Sequence, residues 1–464
     1  MTQTADSPIA SLRDHFRGSI VEPSDAAYDE SRRVWNGDID RRPSVVACCV
    51  DEADVQAAVR YATEQGLEIA VRGGAHSMSG ASVVDDGIVI DLSRMNQVQV
   101  DADARRARVG GGALLSDVDR ATQVHGLAVP AGLISHTGVG GLTLGGGMGW
   151  LSRIGGLTID NLVSARVVTA DGEARVASEN ENPDLFWAIR GGGGNFGVVT
   201  QFEFALHEVG PMIEFAMLFW SLDDGPDMMR HAREVLAGLP EDVNAFVAGL
   251  NAPPAPFVPE EHQLKPGYAV IVVGVGDPGH HADAVSALQS GPAPLFAFAT
   301  PMPFVDLQSM LDEANAWGLH SYDKGCYVEG LTDDVITAVT ENFPAKVSPM
   351  SLVLFYRLDG AYSRIAEDAT AFSGGRSPRY AVFVIGVCPV PEMLPGEREW
   401  VRTMAAALAP SAVDDGLYVN GVTDFDATTP VRAAYGPEKY ARLVEIKRTY
   451  DPANVFHRNA NIAP

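Results

Sequence analysis

The first 200 residues alternate between short apolar runs and amphipathic stretches. The run at 43–50, PSVVACCV, predicts a buried strand. Residues 51–66 begin with acidic side chains, carry apolar residues at helical spacing and reach Gly66, which together predict a helix. A second strand, LEIAVRGG, runs directly into glycine. Further predicted strands are IVIDLS, ARVGGG, LVSARVVTADG and VVTQFEFALHEV, and the Asp171-Gly172 pair predicts a hairpin.

The pattern changes beyond about Val209. Three apolar strands are predicted, YAVIVVGVG, SLVLFYRLDG and RYAVFVIGV, and helices are predicted near 226–238, 279–289, 303–313 and 332–342. This arrangement is typical of an α+β domain with a largely antiparallel sheet and helices on one face. Five prolines in 251–267 predict a long surface loop, which is either a lid or a passive insertion. The helical period returns at 435–450 and ends before Pro452.

Composition and charge narrow the class of protein. The 464 residues include 34 Lys and Arg against 60 Asp and Glu, a formal net charge of −26. A field of this sign repels phosphate backbones and anionic lipid, so we expect no nucleic-acid or membrane partner. Four cysteines without a CxxC pair form neither a disulfide framework nor a zinc ligand set, so no metal is expected. The polar first residues and short apolar runs predict a cytoplasmic protein, either a monomer or a homodimer.

Glycine is concentrated between 73 and 197. The sequence Arg72-Gly73-Gly74-Ala75-His76-Ser77 follows a predicted strand directly. Its small residues let backbone N–H groups crowd an anion, and Arg72 adds positive charge. Alone, this segment fits either a phosphate site or a tight turn. Further clusters at 138–141, 145–149 and 191–194 favour a backbone wrapped closely around a large flat ligand.

Several common catalytic motifs are absent from the sequence. No glycine cluster is followed by the GK[ST] of a P-loop. The sequence also lacks the GxSxG of a hydrolase elbow and the HExxH of a metalloprotease helix. A GxGxxG fingerprint set between strand and helix is also missing, which argues against a Rossmann dinucleotide site. The flat ligand is therefore expected to be held in another way.

Four segments carry a more specific pattern: VRGGAHSMSG, VPAGLISHTGVGGLTLGGGMGWLSR, DLFWAIRGGGGNFGVVTQFEF and YDPANVFHRNANI. In this order and spacing they resemble the berberine-bridge-enzyme-like family, the covalent-FAD branch of the vanillyl-alcohol-oxidase fold. The likeness spans most of the chain and is nearest to bacterial members. It implies a two-lobed α+β fold: a PCMH-type FAD-binding domain at 1–206 with its core at 40–206, a substrate-binding domain on an antiparallel sheet at 207–415, and a segment at 416–464 that returns to the first domain.

The resemblance implies FAD bonded through its 8α carbon to His76. Imidazole suits this role because it is a neutral nucleophile near pH 7. Many relatives add a second bond from a cysteine before the GVGG turn, but Ile134 or Ser135 stands there, so we predict a single bond. Thr137 either shapes an oxygen pocket at the flavin edge or caps a loop amide. The predicted FAD contacts are Arg72, Gly73, Gly74, Ala75, His76, Ser77, Thr137, Gly138, Gly141, Gly147, Gly197, Val198, Tyr418 and Asn420.

The usual catalytic base of the family is missing. Family oxidases carry a Tyr-x-Asn-aromatic strand whose last tyrosine deprotonates an alcohol. This sequence reads Tyr418-Val-Asn420-Gly421, so glycine replaces the aromatic residue while Tyr418 and Asn420 remain. Tyr418 is therefore retained as a candidate catalytic residue.

Substitute catalytic groups are expected from the second domain. Along the strand at 351–360, Tyr356 and Arg357 point to opposite faces. Arg357 either faces the flavin, where it stabilises an oxyanion or binds an anionic substrate, or forms an outward salt bridge. Tyr327 and Glu329 lie in a segment that resembles one bordering the substrate in the family; core packing and solvent contact are the alternatives.

These observations predict hydride transfer from an alcohol, sugar or secondary metabolite to FAD, followed by reoxidation with molecular oxygen. Two alternatives stay open. With Gly421 opening the pocket, the flavin oxygenates a polyketide- or terpenoid-like intermediate. Otherwise the protein has lost its base and only binds flavin.

Overall fold

The computed structural model describes residues 8–413, 418–421, 423 and 431–464. Its first sheet has four strands in the order β1-β2-β4-β3. They are β1 (Ser19–Val21), β2 (Val45–Cys48), β3 (Ile69–Arg72) and β4 (Ile88–Asp91). Strands β2, β4 and β3 are parallel, and β1 is antiparallel to β2. Two short helices precede the parallel strands, α1 (Pro8–Arg13) and α2 (Tyr28–Arg32).

The helix predicted at 51–66 connects β2 to β3. It is α3 (Glu52–Gln65), and it begins where the Asp51 side chain accepts the N–H of Asp54. It ends at Gly66, whose φ of +65° is left-handed and suits glycine. The predicted strands before and after this helix are confirmed as β2 and β3.

The second sheet is antiparallel and has five strands in the order β5-β6-β10-β8-β9. They are β5 (Val98–Asp101), β6 (Arg106–Gly110), β8 (Leu162–Val168), β9 (Ala174–Ser178) and β10 (Val198–Ala205). The predicted hairpin joins β8 to β9 at Asp171-Gly172. A small ribbon pairs β7 (Leu127–Ala128) with β11 (His207–Glu208). The helices of this part are α4 (Leu115–Gln123), α5 (Val139–Gly145), α6 (Ser152–Gly155) and α7 (Pro183–Ile189).

The third large sheet has seven antiparallel strands in the order β15-β12-β14-β13-β17-β18-β16. They are β12 (Met212–Trp220), β13 (Val243–Asn251), β14 (Pro266–Gly274), β15 (Phe296–Pro303), β16 (His320–Val328), β17 (Leu352–Leu358) and β18 (Arg379–Cys388). Helices of this part are α8 (Gly225–Ala237), α9 (Pro278–Gln289), α10 (Phe304–Ser309), α11 (Asp333–Asn342), α12 (Ala361–Arg364) and α13 (Leu394–Leu408).

Both faces of the seven-stranded sheet are buried. Ala216 and Leu218 of β12 share one core with helices α8, α9, α11 and α13. The alternate residues Phe215 and Met217 share another core with Trp150, which belongs to the part built on the four- and five-stranded sheets. We call that part the first lobe and the seven-stranded sheet with its helices the second lobe. The expected α+β fold with a largely antiparallel second sheet is confirmed.

The carboxyl-terminal helix α14 (Val431–Tyr450) returns to the first lobe, where Leu443 and Ile446 share a core with Phe186 of α7. We keep the domain division at 206/207 and 415/416 as a proposal, and the second boundary lies outside the described residues. No described helix has both the length and the apolar character needed to cross a bilayer.

Candidate active site

Two glycine-rich segments of the first lobe lie back to back. A Cβ atom on Gly74 would stand 2.3 Å from the backbone nitrogen of Gly138, and one on Gly138 would stand 2.2 Å from that of Gly74. Contacts this short exclude any side chain at either position. The loop after β3 and the turn before α5 therefore approach each other through bare backbone, and this brings their side chains into one place.

His76 lies at this meeting point and contacts two other rings. Its imidazole stacks on Trp35 with centroids 4.5 Å apart and the planes 18° apart. His136 also contacts this ring, with the centroids 5.0 Å apart. Burial, with a smaller effect of His136, lowers the pKa of His76 to about 3, so its imidazole is neutral at pH 7. Its Nε2 atom is buried and has no hydrogen-bond partner among the described residues.

The other residues of the loop hold its shape. Ala75 has a φ of +52°, and its carbonyl accepts the backbone N–H of Trp35 at 2.9 Å. The Ser77 hydroxyl accepts the N–H of Ala81 at 3.2 Å. These hydrogen bonds of Ala75 and Ser77 stabilise the loop around His76.

Arg72 does not carry the free positive charge that the sequence suggested. Its guanidinium donates to the carbonyls of Ser31 and Arg33, and its Nε is 3.7 Å from a carboxylate oxygen of Asp91. Its Nη1 donors are thus bound by backbone carbonyls, and its charge lies beside that of Asp91. This arrangement supports a role in fixing the base of the loop and gives no support to a phosphate contact.

Helix α5 leads from the His76 loop to Tyr418 and Asn420. The Tyr418 hydroxyl accepts the N–H of Gly147 at 3.1 Å and an Nδ2–H of Asn420 at 3.2 Å. Asn420 also donates to the carbonyl of Leu142 within α5, at 3.0 Å. A Cβ on Gly145 would stand 2.3 Å from Asn420 Oδ1. The structure thus brings the predicted contacts Gly147, Tyr418 and Asn420 together at the carboxyl end of α5.

The remaining predicted FAD contacts surround α5 or lie in the sheet. Gly141 has open space where a side chain would lie. The Thr137 carbonyl accepts the N–H of Leu115 at 2.9 Å. Gly197 has a φ of +148°, and Val198 begins β10 with its side chain in the core between the sheets. Val198 therefore presents only backbone to a ligand.

An aromatic cluster lies against Tyr418. The ring of Tyr356, from β17, is 5.0 Å from that of Phe383 in β18, and Phe383 is 5.8 Å from Tyr418. Phe372 contacts Tyr418 from another side at 6.4 Å, and Phe246 of β13 contacts Tyr356 at 5.2 Å. The cluster lines the face of the seven-stranded sheet that looks toward the first lobe.

Both tyrosines of this cluster are strongly biased toward the neutral phenol. Burial raises the pKa of Tyr356, and burial also raises that of Tyr418 despite its hydrogen bonds from Asn420 and Gly147. A phenol in this state is a poor base at pH 7 and keeps its O–H as a hydrogen-bond donor. The two residues are therefore suited to orienting a ligand.

The comparisons with known proteins agree with this geometry. Residues 43–178 match the family described as FAD binding domain, and 417–463 match the family described as Berberine and berberine like. The (R)-6-hydroxynicotine oxidase of Paenarthrobacter nicotinovorans is 30% identical over 97% of this chain and 97% of that protein. The chain belongs to the berberine-like FAD-linked oxidoreductases.

Solved structures show the same fold. The 6-hydroxy-D-nicotine oxidase of Arthrobacter nicotinovorans matches with a TM-score of 0.84 and 27% identity, over 97% of this chain and 98% of that one. A glucooligosaccharide oxidase from Acremonium strictum, described with 6-S-cysteinyl, 8α-N1-histidyl FAD, matches with a TM-score of 0.84 and 23% identity over 99% of both chains. The second likeness shows the fold alone.

In this FAD-linked oxidoreductase, Arg357 does not join the aromatic cluster. Strand alternation places it on the face of Phe355, which packs against the helices, and opposite Tyr356. Its guanidinium pairs with Asp359 at 2.6 Å, and Asp359 also accepts from Arg153 of α6 at 2.5 Å. The structure therefore contains the salt bridge that was the alternative, although the pair is largely buried, and Arg357 contributes through Asp359 to the junction of the lobes.

The two further candidate residues of the oxidoreductase, Tyr327 and Glu329, lie in different environments. Tyr327 is buried on the face of β16 that looks toward the first lobe, in one core with Phe383. Glu329 lies just beyond the end of β16 and is exposed to solvent. Glu329 is therefore outside the candidate site.

The space expected at Gly421 is filled. A Cβ on Gly421 would stand 2.7 Å from Cε1 of Phe383. Phe383 thus takes room that an aromatic residue at 421 would need, so the glycine does not open the pocket at this point. The expected enlargement there was wrong, because the Phe383 side chain of β18 occupies the space beside Gly421, which lies in a short 3-10 helix (Val419–Gly421) and not in a strand.

Sequence reasoning missed three residues near the site. His136 belongs to the Ser135-His-Thr-Gly138 segment of one quoted motif. Its contact with His76 was not predicted because the two residues are 60 positions apart in the sequence. Trp35 lies in a stretch with no motif. Asp323 of β16 is buried, accepts from Ser321 Oγ at 2.8 Å, and has a pKa raised to about 7 by burial. No local pattern marks Asp323, because its burial depends on packing between the lobes.

Proposed function

We propose that this protein oxidises a small organic substrate by hydride transfer to FAD bonded covalently to His76. The single observation that carries the proposal is the state of His76: its imidazole is buried and neutral, and its Nε2 has no partner among the described residues. A neutral imidazole keeps the lone pair needed to bond a carbon atom. The glucooligosaccharide oxidase of the same fold is described with a histidyl FAD.

The proposed attachment is single. In the turn before α5, the positions that precede Gly138 are Ile134, Ser135, His136 and Thr137, and none offers a thiol. Ser135 is engaged with Asp312, which accepts its N–H at 2.9 Å and its hydroxyl at 2.6 Å. Asp312, a residue of the second lobe, thus holds the turn in place.

The residues that would hold the flavin are those around α5. Open space at Gly141 and the amide and hydroxyl groups of Asn420 and Tyr418 fit a large planar ligand with polar edges, and the packing of Gly74 on Gly138 holds the two segments together beside them. A flavin bound there supplies the acceptor for the hydride. The chain itself excludes water through the aromatic cluster and orients the substrate with neutral phenol donors.

The lining of the candidate site favours a planar, largely apolar substrate. Phe383, Phe372 and Tyr356 present ring faces and edges close to Tyr418. The 6-hydroxynicotine oxidase acts, by its name, on an aromatic compound, and this supports an aromatic secondary metabolite as the substrate class. Molecular oxygen as acceptor, a cytoplasmic location and a monomeric or dimeric state remain predictions.

The first experiment asks whether the flavin is covalent. We precipitate three proteins with acid: the wild type, His76→Ala and a control, His125→Ala. The control changes an exposed histidine. We expect the yellow colour to stay with the wild-type and control pellets and to leave the His76→Ala pellet. Colour lost from the wild-type pellet would overturn covalent attachment, and colour kept by His76→Ala would overturn the choice of residue.

The second experiment asks whether the flavin works. Aromatic alcohols and amines are added without air while the flavin absorbance near its visible maximum is followed. We expect at least one compound to bleach the flavin absorbance. When oxygen is admitted, the absorbance should return and hydrogen peroxide should form. A flavin that no compound reduces would support the alternative of a protein that only binds flavin.

A further inference from the structure

Three imidazole nitrogens are buried together with no hydrogen-bond partner among the described residues. They are Nε2 of His76 and both Nδ1 and Nε2 of His136. A buried polar atom left without a partner costs roughly 1–3 kcal/mol, so a cluster of three points to a bound group that satisfies them. His136 stands out because both of its nitrogens are in this state.

The two rings that contact His76 differ in their chemistry. Trp35 has a single polar atom, and its Nε1 donates to the carbonyl of Asn315 at 2.6 Å. It holds the plane of the His76 ring and cannot take a proton from it. His136, with centroids 5.0 Å from His76, is the ionisable group in ring contact with His76.

The position of His136 is fixed from two directions. Ser135, its neighbour, is bound by Asp312 of the second lobe through two hydrogen bonds. Gly138, two residues later, lies against the backbone of Gly74 in the His76 loop. The contact between the two imidazoles is therefore built into the backbone of both segments.

We propose that His136 accepts the proton that His76 releases when an imidazole nitrogen bonds to the methyl carbon of the flavin. The inference rests on the covalent attachment proposed above. One C–H bond of the methyl group and one N–H bond of His76 break, and one C–N bond forms. Two electrons and two protons leave the pair, and dioxygen takes them up as hydrogen peroxide. His136 is the first acceptor of the proton from the N–H bond.

The test measures the rate at which flavin becomes covalent, not turnover. His136→Ala and His136→Gln are purified with His125→Ala as the control, and excess FAD is added in air. Total bound flavin and acid-stable flavin are followed in parallel. We expect both His136 variants to bind flavin but to attach it about a hundredfold more slowly, a loss typical of a missing proton acceptor. The control should match the wild type.

Added imidazole separates a proton acceptor from a structural residue. It should restore attachment in His136→Ala and not in His76→Ala, because only the former lacks an acceptor while keeping the nucleophile. Attachment at the wild-type rate in both His136 variants would overturn the proposal. So would a parallel loss of total and covalent flavin that imidazole does not restore. A wild-type chain without acid-stable flavin would instead overturn the attachment at His76.

Discussion

Replacing Asp119 with asparagine should stabilise this protein at alkaline pH. Asp119 lies in α4, is 3% exposed, and its Oδ2 accepts from Nε2 of Gln308 in α10 at 3.0 Å. Burial raises its pKa to about 7 from the ordinary 3.8, and the bond from Gln308 only partly opposes the shift. Between these two values the unfolded chain has released a proton that the folded chain retains. The free energy of unfolding therefore falls as the pH rises through this window.

The size of the effect follows from the two pKa values. At pH 8 the acid costs the folded state about 4 kcal/mol relative to a side chain that does not titrate, and at pH 5 it costs about 1.7 kcal/mol. The asparagine of the variant carries no charge and keeps a carbonyl oxygen for the donation from Gln308. The variant should thus gain about 2 to 3 kcal/mol on the wild type between pH 5 and pH 8.

Urea unfolding of the flavin-loaded protein at pH 5 and pH 8, followed by tryptophan fluorescence, measures this difference. The control is Asp103→Asn, which changes an exposed aspartate in the turn between β5 and β6. A gap between Asp119→Asn and wild type that stays constant from pH 5 to pH 8 would refute the reasoning. An equal pH response in the control would show that the response does not arise from Asp119.

Two other substitutions test a buried ion pair and a packing contact. Lys447→Met leaves the fully buried carboxylate of Asp451, 2.6 Å from Lys447 Nζ, without its cation; unfolding in urea should show a loss of about 3–5 kcal/mol, and a loss below about 1 kcal/mol would contradict this. Gly421→Tyr forces the Phe383 ring to shift, so it should cost about 1–3 kcal/mol. Adding Phe383→Ala should recover part of that stability and of the flavin spectrum, and a double variant no better than Gly421→Tyr alone would contradict the overlap.

Local signals in the sequence were enough for part of the first lobe; strands β1 and β5 and helices α4 to α7 were not predicted. The acidic start and Gly66 of α3, and the Asp171-Gly172 hairpin, are decided by neighbours along the chain. The second lobe was harder. Strands β12, β13, β15 and β16 were not predicted, and neither was α13. Both faces of their sheet are buried, so β12 and β13 lack the alternation that marks a strand open to water on one side, and Glu214 and Asn244 interrupt their apolar runs.

The candidate site was predictable where a motif fixes a backbone shape. The glycines at 74, 138 and 147 are required by contacts that any side chain would prevent, and their spacing carried the resemblance. The face presented by Arg357 depended on which side of β17 meets the first lobe, and the strand pattern alone left this open. The pairing of His136 with His76 depended on two segments meeting in space. Neither could be decided from local sequence.

The setting of His76 also has a consequence for how the protein is made. The indole of Trp35 that holds the ring of His76 is itself held by Asn315, 280 positions later in the chain. The neighbouring Asn36 donates both to Met78, in the His76 loop, and to Ser321 of the second lobe. These contacts need residues of the second lobe, which the ribosome makes later, before the setting of His76 is complete. If FAD is bonded to His76 as proposed, acid-stable colour would mark the molecules in which the two lobes have come together.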